Sequence, residues 1–229
     1  MELTGKTAIV TGASEGIGKE IAIALAKEGV NLILFGLGKE KLEEVAKACG
    51  NNTKIYDFDI TDDAVREKIV GEVLSSSEID ILINNAGVWH KMGDITTVSE
   101  SKVHEVINVN LTSHILLTRQ VLPSIRNRET AIINVVSKSG VTAQKGQSAY
   151  SASKWGMKGF TDVLREDTKE EPVRVGAIYQ AGTNTGLFAK VGENVPLEKF
   201  TKPEDLAQVV VFMLSRPDKI WLNEVHVSY

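Results

Sequence analysis

Residues 11–18 read TGASEGIG and follow directly on the apolar run KTAIV at residues 6–10. Glycines at positions 12, 16 and 18 permit a tight turn, a close approach of the backbone to a pyrophosphate, and close packing of a helix on a strand. The helical pattern that begins at Gly16 presents free N–H groups and a partial positive charge at its first turn. A purely structural turn would use the same glycines. The stretch nevertheless favours a nucleotide-binding strand–turn–helix unit.

Six further apolar runs follow, and helical patterns separate them. The runs are NLILF (31–35), KIYDF (54–58), IDILI (79–83), AIINVV (131–136), VRVGAI (173–178) and NEVHVS (223–228). The helical patterns cover residues 16–28, 39–48, 62–74, 99–128, 148–169 and 203–214. Pro123 is expected to bend or end the long pattern at 99–128 because proline removes a helical N–H.

The predicted strands are mostly Val, Ile and Leu and do not alternate with polar residues. Strands buried on both faces have this composition, so we expect a parallel sheet with helices on either side. Repeated strand–helix alternation predicts an α/β, doubly wound (Rossmann) fold with about seven strands. The chain shows no tandem repeat, low-complexity tract or long linker, so residues 1–229 are predicted to form a single domain.

Composition excludes several classes of function. The chain has 229 residues, 42% of them hydrophobic, and a net charge of −4 without a basic stripe, so nucleic acid is not an expected partner. Its single cysteine, Cys49, allows no internal disulfide and no metal-binding spacing, which suits a reducing cytosol. No stretch approaches the roughly 20 apolar residues of a membrane span. We therefore expect a cytoplasmic protein without a membrane partner.

The stretch AYSASKWG at 149–156 places Tyr150 and Lys154 four residues apart. On a helix the two side chains lie on one face, and a nearby ammonium favours the ionised phenol by about 1–3 pKa units. The plain alternative is a packing tyrosine followed by a solvated lysine.

These motifs, in this order, resemble those of the classical short-chain dehydrogenase/reductase family. T-G-x-x-x-G-x-G occupies residues 11–18, and NNAG at 84–87 follows the fourth strand. Asn110 lies in the next helical region, and Ser137 ends the fifth strand 13 residues before Tyr150 of the Y-x-x-x-K motif. The resemblance extends over essentially the whole chain.

The resemblance implies an NAD(P)-dependent oxidoreductase that interconverts a secondary alcohol and a carbonyl compound. It assigns Tyr150 as the acid/base and Lys154 as the group that lowers the Tyr150 pKa and binds the nicotinamide ribose. Ser137 would hold the substrate oxygen, and Asn110 would hold a water that links Lys154 to solvent. Singly, Ser137 as a strand-end cap and Asn110 as a local backbone ligand are the simpler readings. The cofactor-binding positions that it implies are Gly12, Ser14, Glu15, Gly16, Ile17, Gly18, Gly36, Leu37, Asp59, Ile60, Asn85, Ala86, Gly87, Tyr150, Lys154, Thr183 and Thr185.

The choice between NAD and NADP depends on residues after the second strand. Gly36 stands where NAD-selective relatives carry an acid, and Leu37 stands where NADP-selective relatives carry an arginine. Glu15 would repel a 2′-phosphate, whereas Lys39 would offset that repulsion if its side chain folded back. The balance favours NAD.

The stretch YQAGTNT at 179–185 departs from the family pattern. Relatives have Pro-Gly after the sixth strand; here Gln180 and Ala181 replace that pair, while Thr185 keeps its place. We expect a less rigid turn with a polar group near the nicotinamide. The substitution also supports an alternative function, a catalytically silent dinucleotide-binding sensor on the same fold.

Substrate contacts are expected from Val88 and Trp89, from residues 138–148, and from residues 186–200, where Leu187, Phe188 and Val191 are possible lid residues. The expected substrates are 3-oxoacyl, ketone or sugar-type compounds. His90 is expected to be an exposed loop residue rather than a substrate ligand. No histidine has metal-ligand spacing, so no metal is expected. The helices at 99–128 and 148–169 correspond to those that build dimers in the family, which implies a homodimer or homotetramer.

Overall fold

The strands form one parallel sheet that has helices on both sides. The computed structural model describes residues 1–50, 52–217 and 219–228. Within them the strands are β1 (Thr7–Thr11), β2 (Asn31–Gly36), β3 (Thr53–Asp57), β4 (Ile81–Asn84), β5 (Thr130–Val135), β6 (Val173–Gln180) and β7 (Glu224–Val227). These seven strands pair in the order β3-β2-β1-β4-β5-β6-β7, and each pairing is parallel. The predicted doubly wound fold is confirmed.

Helices connect the strands in the predicted alternation. They are α1 (Gly16–Lys27), α2 (Lys39–Cys49), α3 (Asp63–Ser76), α4 (Glu100–Ile107), α5 (Ser113–Ile125), α6 (Ser148–Asp167) and α7 (Pro203–Leu214). Helix α1 packs beside α2 and α7, whereas α3 packs beside α5 and α4 beside α6. None of these helices has the length and apolar character that crossing a bilayer requires, within the part of the chain that the structure describes.

The sheet is buried on both faces because successive side chains of a strand point to opposite sides. Ala8 and Val10 of β1 pack with α1 and α7 in one apolar cluster. Ile9, between them, packs with α3 and α5 in a second cluster on the other face. Both faces therefore require the continuous Val, Ile and Leu runs that the sequence contains.

The chain reverses its direction of winding at β1, which lies between β2 and β4. Strands β2 and β3 extend the sheet to one side, and β4 to β7 extend it to the other. In sheets of this kind, ligands bind at the carboxyl ends of the strands beside such a switch point. TGASEGIG begins at the last residue of β1, and NNAG begins at the last residue of β4. Both motifs therefore lie at this crevice.

The long helical pattern at 99–128 is interrupted at a place that the sequence analysis did not predict. A π-helical turn, Asn108–Thr112, separates α4 from α5, whereas Pro123 lies inside α5 two residues before its end. Asn110 lies in this turn, and its side chain bonds to another segment of the chain. Single π turns of this kind are frequent at functional sites.

Candidate active site

A cavity of about 530 Å³ opens at the carboxyl ends of β1 and β4. Its walls come from the glycine loop, the ends of β2 and β3, NNAG, and α6. The predicted cofactor positions along it are Gly12, Ser14, Glu15, Gly16, Ile17, Gly36, Leu37, Asp59, Ile60, Asn85, Ala86, Gly87, Tyr150, Lys154 and Thr185. Of the remaining two, Gly18 packs within the fold and Thr183 lines a different cavity.

The close packing of the glycine loop against its neighbours requires glycine. Gly12 has φ +62°, and a Cβ there would lie 2.8 Å from the Ala86 Cα. Gly16 has φ +59° beside the Thr185 methyl group. A Cβ on Gly18 would collide with the Gly12 carbonyl, which explains why α1 packs so closely on β1. Residues without side chains therefore form a backbone cradle at the N-terminus of α1, as pyrophosphate binding requires.

Thr11 ties the two loops of this cradle together. Its Oγ1 accepts hydrogen bonds from the backbone N–H groups of Asn85 (2.8 Å) and Ala86 (3.0 Å) and donates to the Ile83 carbonyl (3.2 Å). The Asn85 amide in turn donates to the Thr11 carbonyl at 2.9 Å. The sequence analysis included Thr11 only as a letter of the glycine motif. The buried hydroxyl at the end of a central strand was the signal that it missed.

Glu15 forms ion pairs with two lysines at the rim of the larger cavity. Lys41 lies 2.7 Å from one carboxylate oxygen, and Lys190 contacts the other. Hydrogen bonds from Lys190 and then Lys41 lower the pKa of Glu15. The expectation for Lys39 is wrong, because its ammonium pairs with Glu43 on the exposed surface of α2 and does not line the cavity. Lys41, two residues further along α2, is the lysine that pairs with Glu15 instead.

Another part of the larger cavity wall is formed after β2 and β3. Gly36 closes β2, and Leu37 beside it is largely exposed. Asp59 lines the wall, and its Oδ1 accepts hydrogen bonds from the backbone and hydroxyl of Thr61. The helix cap of α3 is a different residue, Asp62, which accepts from the Val65 N–H. Asp59 is thus placed along the cavity and is not the acid that caps this helix.

Tyr150, Lys154 and Ser137 converge where α6 begins beside the end of β5. The Lys154 ammonium donates to the Val135 carbonyl at 3.3 Å and lies 5.7 Å from the centroid of the Tyr150 ring. Ser137 follows β5, and its hydroxyl hydrogen-bonds with that of Tyr150. The predicted face of α6 is therefore the face that closes the cavity.

Burial determines the ionisation of both α6 side chains. It raises the pKa of Tyr150 to about 12, and the hydrogen bond with Ser137 only partly opposes this rise. Burial also lowers the pKa of Lys154 to about 8. The Tyr150 pKa therefore moves opposite to the predicted direction, because desolvation of the phenolate is the largest cause of its shift. The site holds a neutral phenol beside a lysine that titrates near neutral pH.

Asn110 fixes the chain that leaves NNAG. Its Oδ1 accepts from the Val88 N–H at 2.8 Å, and its Nδ2 donates to the Val88 carbonyl at 3.0 Å and to Ser153 Oγ at 3.2 Å. The π turn brings this amide under Gly87, where a Cβ would lie 3.4 Å from Oδ1. The predicted water between Asn110 and Lys154 stays a prediction. The observed bonds make Asn110 a link between β4 and α6.

A second cavity, of about 330 Å³, adjoins the first. Ser137 and Thr183 line only the second cavity, so Thr183 lies on its wall and not on that of the larger cavity. Trp89, Leu187 and Phe188 line it as predicted for substrate contacts. The residues common to both walls are Ile17, Tyr150, Gln180, Thr185 and Leu187. The Tyr150 side chain thus stands at the junction of the two cavities.

Two buried histidines hydrogen-bond to the backbone of residues that line the cavities. His90 is only 2% exposed, so the expectation of an exposed loop histidine is wrong. Its Nε2 accepts from the Tyr150 N–H at 3.3 Å, which leaves Nδ1 to donate to the Lys91 carbonyl. His114, given no role, is buried, donates from Nε2 to the Ala86 carbonyl at 2.7 Å, and has a pKa lowered by burial to about 4.

Strand pairing with β7 extends up to the turn after β6. Strand β6 continues through Tyr179 and Gln180, two residues beyond the predicted run, because no proline ends it. Gln180 pairs with Val227 of β7, and the Ala181 N–H donates to the Val227 carbonyl at 2.9 Å. The predicted lower rigidity of this turn stays a prediction. The Gln180 Oε1 is buried without a hydrogen-bond partner among the described residues, beside both cavities.

The arrangement is suited to proton transfer at a carbonyl oxygen. A neutral phenol and a serine hydroxyl reach one cavity wall, and a cradle for a dinucleotide lies on the other side of the phenol. Across the described ranges, no three His, Cys, Asp or Glu side chains gather as a possible metal site.

Comparison with known proteins agrees with this geometry. The family model for short chain dehydrogenases matches residues 6–196. A 3-oxoacyl-(acyl-carrier-protein) reductase of Thermotoga maritima is 34% identical over 94% of this chain and 92% of its own length. The 3-ketoacyl-(acyl-carrier-protein) reductase of Brucella melitensis, solved with NADH, superposes with a TM-score of 0.88 at 27% identity, over 98% of this chain and 96% of the other. An alcohol dehydrogenase of Thermococcus sibiricus, solved with 5-hydroxy-NADP, superposes with a TM-score of 0.89 at 25% identity, over 97% of this chain and 95% of the other.

Proposed function

Because the chain belongs to the short-chain dehydrogenase/reductase family, an oxidoreductase family acting on CH–OH groups with NAD(P), we propose that it interconverts a ketone and a secondary alcohol with Tyr150 as the acid/base. One observation carries the proposal: Tyr150 lies on the wall shared by the two cavities, with Ser137 beside its hydroxyl and Lys154 beneath its ring. A carbonyl in the smaller cavity then meets a proton donor next to the nucleotide cradle.

The residues of the larger cavity hold the cofactor and orient it. A bound nicotinamide nucleotide supplies hydride exchange with the substrate carbon. The backbone of the glycine loop at Gly12 and Gly16 cradles the pyrophosphate, which the α1 N-terminus also attracts. Asp59 and Leu37 flank the adenosine end, and Lys154 with Thr185 lies at the nicotinamide end. The family resemblance implies these assignments, and the position of all four residues along the larger cavity supports them.

Proton transfer in our proposal uses three side chains. Ser137 donates a hydrogen bond to the substrate oxygen and polarises the carbonyl group. Tyr150, neutral because its pKa is about 12, gives its proton to the same oxygen during reduction. The charged form of Lys154 stabilises the phenolate that remains. Asn110 holds the Val88 segment in place and acts as a positioning residue.

We also propose that the cofactor is NAD rather than NADP. The carboxylate of Glu15 lies at the rim of the cavity beside Gly36 and would repel a 2′-phosphate. Lys41 and Lys190 lie near, but both already pair with Glu15. A phosphate would have to replace that carboxylate as their partner.

The relatives named 3-oxoacyl reductases and alcohol dehydrogenase supply candidate substrates, and so do the sugar-type compounds of the sequence analysis. We further propose that residues 1–229 act as one domain and that two or four copies associate. The exposed Trp155 and Val163 on α6 support this association, because that helix is the one expected to pack against a second copy.

Purified protein incubated with NADH or NADPH and a panel of ketones, sugars and 3-oxoacyl thioesters tests the proposal. We expect binding of a nucleotide, measured at equilibrium, and its consumption with at least one ketone. Tight binding without turnover of any compound would favour the silent sensor. Absence of binding by either nucleotide contradicts both.

A further inference from the structure

The smaller cavity is bounded by a row of aromatic rings that begins at Tyr150. Trp89 meets the Tyr150 ring edge-on, with centroids 4.4 Å apart at 67°. Phe188 meets Trp89 at 5.3 Å and 70°, and Phe200 meets Phe188 at 5.6 Å and 61°. Edge-to-face pairs of this kind are the favoured geometry for aromatic contacts. The wall next to the reacting oxygen is therefore aromatic.

Glu193 holds Trp89, the second ring of this row, in place. One carboxylate oxygen accepts from the Trp89 indole N–H at 2.5 Å, and the other accepts from the Met92 backbone N–H at 3.3 Å. Glu193 comes from the segment after β6, whereas Trp89 and Met92 come from the segment after β4. The carboxylate thus joins the two segments that enclose the cavity. Because indole has a single N–H donor, this bond determines which edge of Trp89 faces inward.

The polar groups of the smaller cavity lie on a different part of its wall. Ser137 and Tyr150 provide the hydroxyls of the proposed proton transfer, Thr183, Thr185 and Ser228 also line the cavity, and Ser139 donates to the Gln147 side chain at 2.7 Å. A substrate whose oxygen reaches Ser137 and Tyr150 has its remaining atoms in a cavity whose apolar wall combines the indole and phenyl rings with Ile17, Met92, Leu187 and Val195. The volume of about 330 Å³ lies at the lower end of the roughly 300–1,000 Å³ typical of small-molecule sites. A compact substrate suits it better than a long chain.

We propose that the substrate is a small ketone with an aryl substituent, and that Glu193 is the positioning residue that preforms its aromatic site. This inference rests on the proposed function. An aryl ring packed against aromatic rings in this geometry is stabilised by more than the burial of its surface. A saturated ring with the same carbon skeleton lacks this additional stabilisation.

The test compares benzylacetone with its ring-saturated counterpart, which has the same carbon skeleton and an unconjugated ketone. We expect kcat/KM to favour benzylacetone by about 2- to 10-fold. A 3-oxobutanoyl thioester measured in parallel is expected to be the poorer substrate. Equal or reversed preference for the aryl ketone, or a higher kcat/KM for the thioester, contradicts the substrate class.

Substitutions test whether the aromatic wall of the smaller cavity causes the preference for benzylacetone. Trp89→Leu and Phe188→Leu are each expected to remove it, and Glu193→Ala is expected to raise KM for benzylacetone several-fold with kcat retained. Glu193→Gln, which keeps an acceptor for the indole, is expected to restore most of the affinity. Phe212→Leu, at an exposed ring on α7, is the matched control and should leave the ratio unchanged.

The affinity for NADH is a second readout, because Trp89 and Phe188 line only the smaller cavity. It should be the same in all variants, which also shows that they fold. A ratio unaffected by Glu193→Ala contradicts the positioning role. Turnover of ketones without aryl preference overturns this inference alone, whereas binding without turnover of any compound overturns the proposed function.

Discussion

The Lys154 ammonium lies 5.7 Å from the centroid of the Tyr150 ring, and both side chains are buried beside the larger cavity. Burial disfavours charge on each of them, so the pKa of the phenol rises to about 12 while that of the lysine falls to about 8. At neutral pH the pair therefore holds a protonated donor next to a cation. Such a pair is prepared for reduction, because the donor carries its proton before the substrate arrives.

Ketone reduction should depend on the charge of Lys154. We expect kcat/KM to decline above about pH 8, since the lysine loses its proton there while Tyr150 keeps its own. Steady-state rates across this pH range provide the measurement. Lys154→Arg, which stays charged, should be slower but lack the decline. A wild-type profile that stays flat to about pH 10 contradicts this dependence.

Lys154→Met should stabilise the protein at neutral pH. The folded-state pKa of about 8 lies below the ordinary value of 10.5, so a protonated Lys154 costs the fold about 3 kcal/mol at most. Between those pH values the unfolded chain binds more protons, and wild-type stability rises with pH. We expect a gain of about 1–3 kcal/mol in the free energy of unfolding at about pH 7, narrowing toward pH 10. Urea titrations of both proteins at the two pH values measure this difference in the free energy of unfolding. A difference that increases with pH contradicts the prediction.

Thr11→Val should destabilise the cradle between the two loops. The change keeps the shape of the side chain but leaves the N–H groups of Asn85 and Ala86 without the acceptor that they use now. We expect a loss of about 2–4 kcal/mol in the free energy of unfolding. Thr7→Val, at a half-buried position of the same strand, serves as the control and should stay within about 0.5 kcal/mol. Equal effects of the two changes would argue against the proposed link.

Glu15→Arg should move the cofactor preference toward NADP. The change removes the repulsion at the cavity rim and adds a partner for a 2′-phosphate. We expect the ratio of NADPH to NADH affinity to rise by about 10-fold or more, as measured by equilibrium binding. Lys39→Ala is the control, because Lys39 pairs with Glu43 outside the cavity. A wild type that already prefers NADPH contradicts the selectivity proposed for Glu15.

Local pattern predicted the sheet, its helices and most of the cavity wall. Strand burial and glycine spacing act over a few residues, so β1, α1 and the loop between them follow from adjacent letters. The π turn that contains Asn110 does not follow from adjacent residues, because the Asn110 side-chain amide bonds to Val88, 22 residues earlier in the chain. Burial that depends on tertiary packing was missed in the same way, as for His90.

Contacts between residues far apart in the sequence could not be predicted either. Glu193 and Trp89 lie 104 residues apart, and Lys190 pairs with Glu15 from the segment after β6. The sign of the Tyr150 pKa shift required knowing how deeply both α6 side chains are buried. Sequence spacing indicates that two groups meet, but the surrounding atoms determine which ionisation state they hold.

Removal of the Tyr150 hydroxyl tests directly whether this residue is the proton donor. Tyr150→Phe keeps the ring against Trp89 and removes only the hydroxyl. With NADH and a ketone that the wild type reduces, kcat/KM should fall by about 100- to 10,000-fold while the NADH dissociation constant stays the same. A variant that binds NADH and still reduces the ketone within about threefold of the wild-type rate shows that the proton comes from elsewhere.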